Sequence, residues 1–304
     1  MIPELSGDFL QWLRGFYYTA EKGTVSAAAA HMGRRQSSIT HQIKNLEQEL
    51  GAQLFDRSHG RMILTEEGTA LLAKAVTIFE TIKEMRDLLH PQLGELHGEI
   101  SLVTTHAVLL YYLPPHIAEF QSLSPGVTFR LTGGGLDKIL ENLHTGQADF
   151  SIASLENIPE SLNFKPLFHT KPILIQARGS KWSLSEPITL DQVARLPFIS
   201  FPDSSTIAQA IKKRFSEEGL SLNIVQELDN FELVKRFVEL DLGLAILDEY
   251  ALEDKDKEKI RIHSLDAYVK ERTYGIITRK KSYMPPASHA FIRKLLKKDS
   301  PTVG

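Results

Sequence analysis

The stretch TVSAAAAHMGRRQSSITHQIKNLEQELG, residues 24–51, decides the fold of the first part of the chain. Thr24 can cap free helical N–H groups, and Ala27 to Ala30 follow with the highest helix propensity of any residue. This predicts a short helix from Thr24 that stops near Gly33. A second helix is predicted from about Gln36 to Leu50, because Ile39, Ile43, Leu46 and Leu50 recur at steps of four, three and four residues. Gly51 is placed as its C-terminal stop. Its other face carries Gln36, Ser37, Ser38, Thr40, His41 and Lys44. Those side chains donate and accept hydrogen bonds at a reach suited to base edges and phosphates, whereas a merely solvated helix carries a ladder of Glu and Lys.

Working outward, Phe9, Leu10, Leu13, Phe16, Tyr17 and Ala20 repeat at three- and four-residue steps and predict an amphipathic helix closed by Gly23. On the other side, after Leu54 and Phe55, comes DRSHGRMILT, residues 56–65. His59 and Gly60 make a turn between two short extended arms, and Arg57 and Arg61 flank it, the pattern of a basic wing. A long helix then starts at Thr65, with Glu66 and Glu67 suited to its positive end. It carries Leu71, Leu72, Ala75, Ile78, Phe79, Ile82, Met85 and Leu89 before Pro91 and Gly94 end it. Roughly 25 residues at 1.5 Å each span about 38 Å. So long a helix beside so small a domain has more apolar surface than one chain covers, which points to pairing with a second copy.

From His97 the rhythm changes to strands alternating with helices, the pattern of an α/β domain with a mostly parallel sheet. Strands are expected at 100–104, 127–132, 149–153, 172–177, 197–201, 224–228, 244–247 and 274–278. Helices are expected at 106–122, 136–144, 206–218, 231–240 and, last and basic, through Leu296. Two similar half-domains are the natural division. The mixed run Glu253 to Lys259 reads as a solvated loop or helix end.

Composition sets the class. The 304 residues exceed one usual domain, and 42% hydrophobic with 24% charged residues is ordinary for a globular protein, which excludes disorder and a fibrous chain. The formal charge of −3 advertises neither nucleic acid nor an acidic membrane. Yet Arg34, Arg35, Lys44, Arg57 and Arg61 gather around the polar-faced helix and the wing, within a block (residues 1–65) of seven Lys+Arg and six Asp+Glu. Absence of cysteine rules out disulfides, thiolate zinc sites and cysteine nucleophiles. Asp8 and Arg14 interrupt the apolar residues near the start, so neither a signal peptide nor a spanning run is read there, and a cytoplasmic location is expected.

Residues 24–32, 36–57 and 64–68 resemble the winged helix-turn-helix of LysR-type transcriptional regulators. The rest of the chain is similar to the same family's effector domain, which looks like a two-lobed periplasmic solute-binding protein of type II. Thr104-Thr105-His106 and the run Gly146 to Ala153 look closest to the cysteine-regulon, CysB-like branch. The resemblance implies a DNA-binding domain at 1–65, a linker and dimerisation helix at 66–92, and an effector-binding domain at 97–304. Its lobe I would take about 97–165 and 268–304, and lobe II about 166–267. Two departures stand out. Arg35-Gln36-Ser37 replaces the usual Ser-Gln-Pro and Arg34 a usually apolar residue, which implies a different operator sequence. Ala107 and Val108 stand where the branch has polar anion-binding residues, which weighs against a sulfate-like ligand.

The resemblance implies DNA contact by Gln36, Ser37, Ser38, Thr40 and His41, with Arg34, Arg35 and Lys44 on phosphates and Arg57 or Arg61 on phosphates or in the minor groove. Effector contact is expected where the C-terminal ends of strands meet helix N-termini, a place that suits an anionic ligand in particular. Thr104, Thr105 and His106 end one strand, Gly133-Gly134-Gly135 the next, and Ser151 and Ser154 lie at the third; Ser200, Phe201, Ser204, Thr206 and Asn230 are their counterparts in the second half. Ser, Thr, Asn and Gly also form ordinary caps and turns in such places.

Gly133 to Gly135 is no phosphate loop, since no Gly-Lys-Ser/Thr follows; no metal-ligand spacing and no nucleophile-base pair occurs, so neither cofactor, metal nor catalytic residue is expected. The expectation is a cytoplasmic regulator that binds double-stranded promoter DNA as a homodimer or homotetramer and responds to a small-molecule effector, with RNA polymerase a further candidate partner and no membrane. The rivals are a solute-binding protein without DNA binding, opposed by the polar-faced helix, and an α/β hydrolase or transferase, opposed by the missing catalytic groups.

Overall fold

The computed structural model describes residues 7–56, 62–89, 96–155, 157–280 and 282–298. It divides into two units, chiefly Met1–Pro91 and the residues from Gln92 on.

The N-terminal unit is built from α1 (Phe9–Lys22), α2 (Val25–Met32), α3 (Gln36–Leu50), the short strands β1 (Phe55–Asp56) and β2 (Ile63–Leu64), and α4 (Glu66–Leu89). Local chemistry sets each boundary. Thr24 accepts the Ala27 N–H and starts α2. Gly33, at φ 60°, turns the chain into the left-handed region that a side chain resists, and Arg35 returns it to extended backbone before α3. Leu13 and Phe16 of α1, Ala28 and Ala29 of α2, Ile39, Ile43 and Leu46 of α3, and Leu72, Ala75 and Val76 of α4 form one core with Leu54 and Phe55. Leu50 closes the apolar series of α3 but stays exposed. β1 and β2 pair antiparallel as the arms of the expected wing. Its turn, with Arg57, His59, Gly60 and Arg61, lies outside the described residues, as do Pro91 and Gly94. Thr65 accepts the Gly68 N–H at 3.0 Å and caps α4. Farther along α4, Ile82 is 36% and Met85 56% exposed.

The second unit runs β3 (Gly98–Thr104), a π-helical turn (Val108–Tyr112), α5 (Leu113–Leu123), β4 (Val127–Gly133), α6 (Leu136–His144), β5 (Phe150–Ala153), β6 (Leu162–Thr170) and β7 (Pro172–Ala177). It continues with α7 (Leu190–Ala194), β8 (Pro197–Ser200), α8 (Thr206–Glu217), β9 (Asn223–Glu227), α9 (Phe231–Glu239), β10 (Ala245–Asp248), β11 (Ile260–Ser264), β12 (Arg272–Arg279) and α10 (Pro286–Lys298). Lobe I holds a five-stranded sheet in the order β4-β3-β5-β12-β6. Alternate residues of its strands face opposite ways, as a pleated strand requires. Leu102, Ile152 and Ile276 pack with Leu113, Phe120, Phe291 and Leu295 of α5 and α10. Val103, Ala153 and Ile277 pack with Ile139 and Leu143 of α6 on the other face. Lobe II joins the sheets β10-β7-β11 and β8-β9 through a bridge between Phe198 and Leu244.

The sheets are mixed, a correction to the mostly parallel expectation. β3 is parallel to β4 and β5, but β12 runs antiparallel to β5 and β6, and β7 antiparallel to β10 and β11. The cause is connectivity, since β12 re-enters lobe I from lobe II. β6 was not expected from the sequence, and it pairs with β12 on both sides of the anticipated lobe boundary at 165/166, up to Thr170 opposite Arg272. The chain therefore crosses to lobe II between Thr170 and Pro172. β11 and α7 were also not expected. The π-helical turn follows from Pro114 and Pro115, which lack the N–H groups that would bond the Leu110 and Tyr111 carbonyls in an α-helix. Leu113 N–H bonds instead to the Val108 carbonyl, five residues back.

Candidate functional site

In the N-terminal unit the polar face foreseen on α3 is solvent-facing. Arg34, Arg35, Gln36, Ser37, Ser38, His41 and Lys44 are exposed and Thr40 is half-buried, while Ile39, Gln42 and Ile43 point inward. The first turn of α3 holds no acidic side chain, a property it shares with α1, α2, α5, α8 and α10; what sets it apart is Arg34 and Arg35 beside it. Arg35, in the cap position, makes no side-chain capping bond. The partial positive charge of the helix N-terminus is reinforced by two guanidinium groups. The acidic residues of α3 lie at its other end, where the Glu47 carboxylate accepts the Leu54 N–H at 2.9 Å. One contact was not foreseen: Gln36 Nε2 donates to Ser26 Oγ of α2 at 2.6 Å.

In the second unit the ends of β3 and β4 meet each other and the Ser204 turn of lobe II. Gly134 N–H donates to the Thr104 carbonyl at 3.0 Å, and His106, exposed, lies against Gly133. Leu136 N–H, at the start of α6, donates to the Ser204 carbonyl of lobe II at 3.1 Å. Gly135 permits that approach, because a Cβ there would stand 2.9 Å from Ser204 Cβ, O and Oγ. Thr105, half-buried, accepts the Val108 N–H at 3.4 Å through Oγ1, and Ser154 is half-buried.

Other expected residues are framework in this arrangement. Thr104 is fully buried and its hydroxyl donates to the Ile152 carbonyl. Asn230 uses Oδ1 to accept the Glu232 N–H at 2.8 Å, capping α9. Ser200 Oγ donates to the Phe201 carbonyl, and Phe201 is buried against Phe231 with ring centres 4.4 Å apart. Ser151 is buried in β5, its hydroxyl without a hydrogen-bond partner among the described residues.

Sequence reasoning missed two ionic clusters that join lobe I to lobe II. Arg272 Nη1 donates to Asp248 Oδ2 at 2.5 Å, Arg272 Nη2 to Thr206 Oγ1 at 2.7 Å, and Tyr274 OH to Asp248 Oδ2 at 2.8 Å. Asp248 Oδ1 has no hydrogen-bond partner among the described residues. Burial pushes the Asp248 carboxyl above its usual value, against the opposing pull of Arg272 and Tyr274, and burial beside Asp248 raises the Tyr274 phenol. In the second cluster, Tyr111 of the π-helical turn donates to Glu232 of α9. Lys235 Nζ reaches Glu232 at 2.8 Å and Asp256 at 2.7 Å. Partial burial raises the Glu232 carboxyl, but the bonds from Lys235 and Tyr111 outweigh it, so its pKa lies below the usual value; the Tyr111 phenol is raised by burial and by Glu232. These pairs join residues far apart in sequence, and the only local hint was Asp248, charged at the end of the apolar run 244–247. Asp256 corrects the solvated reading of the run Glu253 to Lys259, for it is buried against Lys235.

Two family models match the chain. One, described as a bacterial regulatory helix-turn-helix protein of the lysR family, matches residues 10–69. The other, described as the LysR substrate binding domain, matches residues 93–300. Among curated proteins, the HTH-type transcriptional regulator cbl of Klebsiella aerogenes is 32% identical over 226 residues, covering 73% of this chain and 71% of that one. The regulator CysB of Burkholderia cenocepacia is 28% identical over 242 residues, covering 78% and 77%. Among solved structures, a full-length OxyR variant from Pseudomonas aeruginosa superposes with a TM-score of 0.75 at 20% identity, covering 96% of this chain and 98% of that one.

Proposed function

Because the chain belongs to the LysR family of DNA-binding transcriptional regulators, in its CysB-like branch, we propose that α3 reads promoter DNA while a small molecule bound between the two lobes controls that binding. The protein is a regulator with an effector-binding domain and not an enzyme. The observation that carries the DNA assignment is the first half of α3: exposed hydrogen-bonding side chains with Arg34 and Arg35 beside them. Gln36, Ser37, Ser38, Thr40 and His41 face base edges, and Arg34, Arg35 and Lys44 hold phosphates. Arg57 and Arg61 of the wing add phosphate or minor-groove contacts.

The effector sits where Thr105, His106, Gly134, Gly135, Ser154 and Thr206 line the gap between strand ends and helix N-termini. Ligand closure changes which half-sites an oligomer can hold. The exposed Ile82 and Met85 of α4 support pairing of two copies through that helix. No helix of the described residues is long and apolar enough to cross a membrane, and the protein works in the cytoplasm, with RNA polymerase as its partner at the promoter.

The test is a binding-site selection from a randomised duplex library with the full-length chain. Gln36→Ala combined with Thr40→Ala is expected to cut affinity for the selected duplex at least tenfold, since each good base contact is worth about 1–3 kcal/mol, and to leave nonspecific binding in place. Unchanged affinity would remove α3 as the reading helix.

A further inference from the structure

Gln36 opens α3, and its amide is held before any DNA arrives. Nε2 donates to Ser26 Oγ at 2.6 Å. Ser26 is the second residue of α2, and its hydroxyl is not needed as the helix cap, since Thr24 already accepts the Ala27 N–H. The small side chains of Ala28 and Ala29 bury the face of α2 in the core shared with α3, which brings the two helix starts together.

A primary amide carries two N–H donors on nitrogen and an oxygen with two lone pairs. An amide on an exposed side chain samples many orientations. The Ser26 bond takes one N–H and holds the plane of the amide. The second N–H and Oε1 remain, one donor and one acceptor side by side. That pair complements adenine in the major groove, which presents the N7 acceptor beside the N6 amino donor. Guanine offers two acceptors there, N7 and O6, so a fixed Oε1 would face O6 without a proton between them.

We propose that Ser26 is a positioning residue for base recognition: by holding the Gln36 amide it makes Gln36 select adenine at one position of the operator. The proposal rests on the assignment of α3 as the helix that enters the major groove. Ser26 touches no base in this scheme; it acts through Gln36, lowering the ordering cost of a flexible side chain.

The experiment is binding-site selection from a randomised duplex library with the full-length wild type, Ser26→Ala, Ser26→Thr and Gln36→Ala, followed by titration of the selected duplex and of versions with one A·T pair replaced. Thermal unfolding of each variant is followed in parallel. Wild type and Ser26→Thr, which keeps the hydroxyl, are expected to prefer adenine at one position by about tenfold or more. Gln36→Ala loses the preference there. Ser26→Ala loses several-fold of it at that position, with every other position and the unfolding temperature unchanged. If Gln36→Ala loses the preference and Ser26→Ala keeps it, the positioning role fails while α3 still reads DNA. A uniform loss across all sequences in Ser26→Ala likewise overturns the proposal, for it marks a phosphate contact or a structural staple. If Gln36→Ala selects the wild-type sequence unchanged, the assignment of Gln36 falls, and the proposal with it.

Discussion

Lys235 brings an ammonium group into the interior of lobe II, where it is 1% exposed. Removing such a group from water costs several kcal/mol, recovered only if partners surround it. Here Asp256, Glu232 and the Ala251 carbonyl do so, at 2.7, 2.8 and 3.3 Å, and the Tyr111 ring centre lies 4.9 Å from Nζ. Asp256 depends on Lys235 in turn, since its carboxylate is buried and otherwise receives, among the described residues, only the Glu253 N–H at 2.9 Å. Lys235→Met fills most of the volume but strands that carboxylate, so a loss of about 3–5 kcal/mol is expected, read from urea unfolding of the full chain. A variant as stable as the wild type would show that the pair compensates no buried charge. This pairing was not legible in the sequence. Asp256 sits in a run of alternating charges whose neighbours Asp254, Lys255 and Lys257 are exposed, and its partner lies 21 residues away on α9.

Among the elements, those whose ends carry their own chemistry were legible. α3 spans the expected Gln36–Leu50, because an extended residue precedes it and Gly51 stops it in the left-handed conformation. β6 was hidden by Pro166, which argues against a central strand; it is tolerated because β6 lies at the sheet edge. α7, with five residues, is too short to show a period, and β11 alternates apolar and polar residues over only the four positions Ile260 to His263. At the cleft, the glycines were visible but not their reason, since Ser204, the neighbour that forbids a Cβ at Gly135, belongs to the other lobe. Gly135→Ala should therefore act at this rim. An added methyl that must push its neighbours costs about 1–3 kcal/mol where packing holds, and the least costly response is to let the 133–136 loop leave Ser204. The expected outcome is faster hydrogen exchange at the Leu136 amide, with exchange in β3 and β5 unchanged. Unaltered exchange at Leu136 would mean that its bond to Ser204 does not close the rim in solution.

For the molecule as a whole, charge and oligomerisation bear on each other. The net charge of −3 says little about DNA, because placement decides it, yet few phosphate contacts per chain make single-copy binding weak. Two linked reading helices recover affinity through effective concentration. Replacing the exposed apolar pair of α4 by Ile82→Glu with Met85→Lys is expected to shift sedimentation toward the monomer and to weaken operator binding by about 100-fold. An unchanged oligomer would place the self-association surface elsewhere. Connectivity has a consequence for synthesis. All strands of lobe II lie between Pro172 and Ser264, whereas lobe I waits for β12 and α10, which come last. On the ribosome the inserted lobe is therefore complete while its host still lacks an interior strand, and a premature stop after residue 264 removes from lobe I the strand that joins β5 to β6.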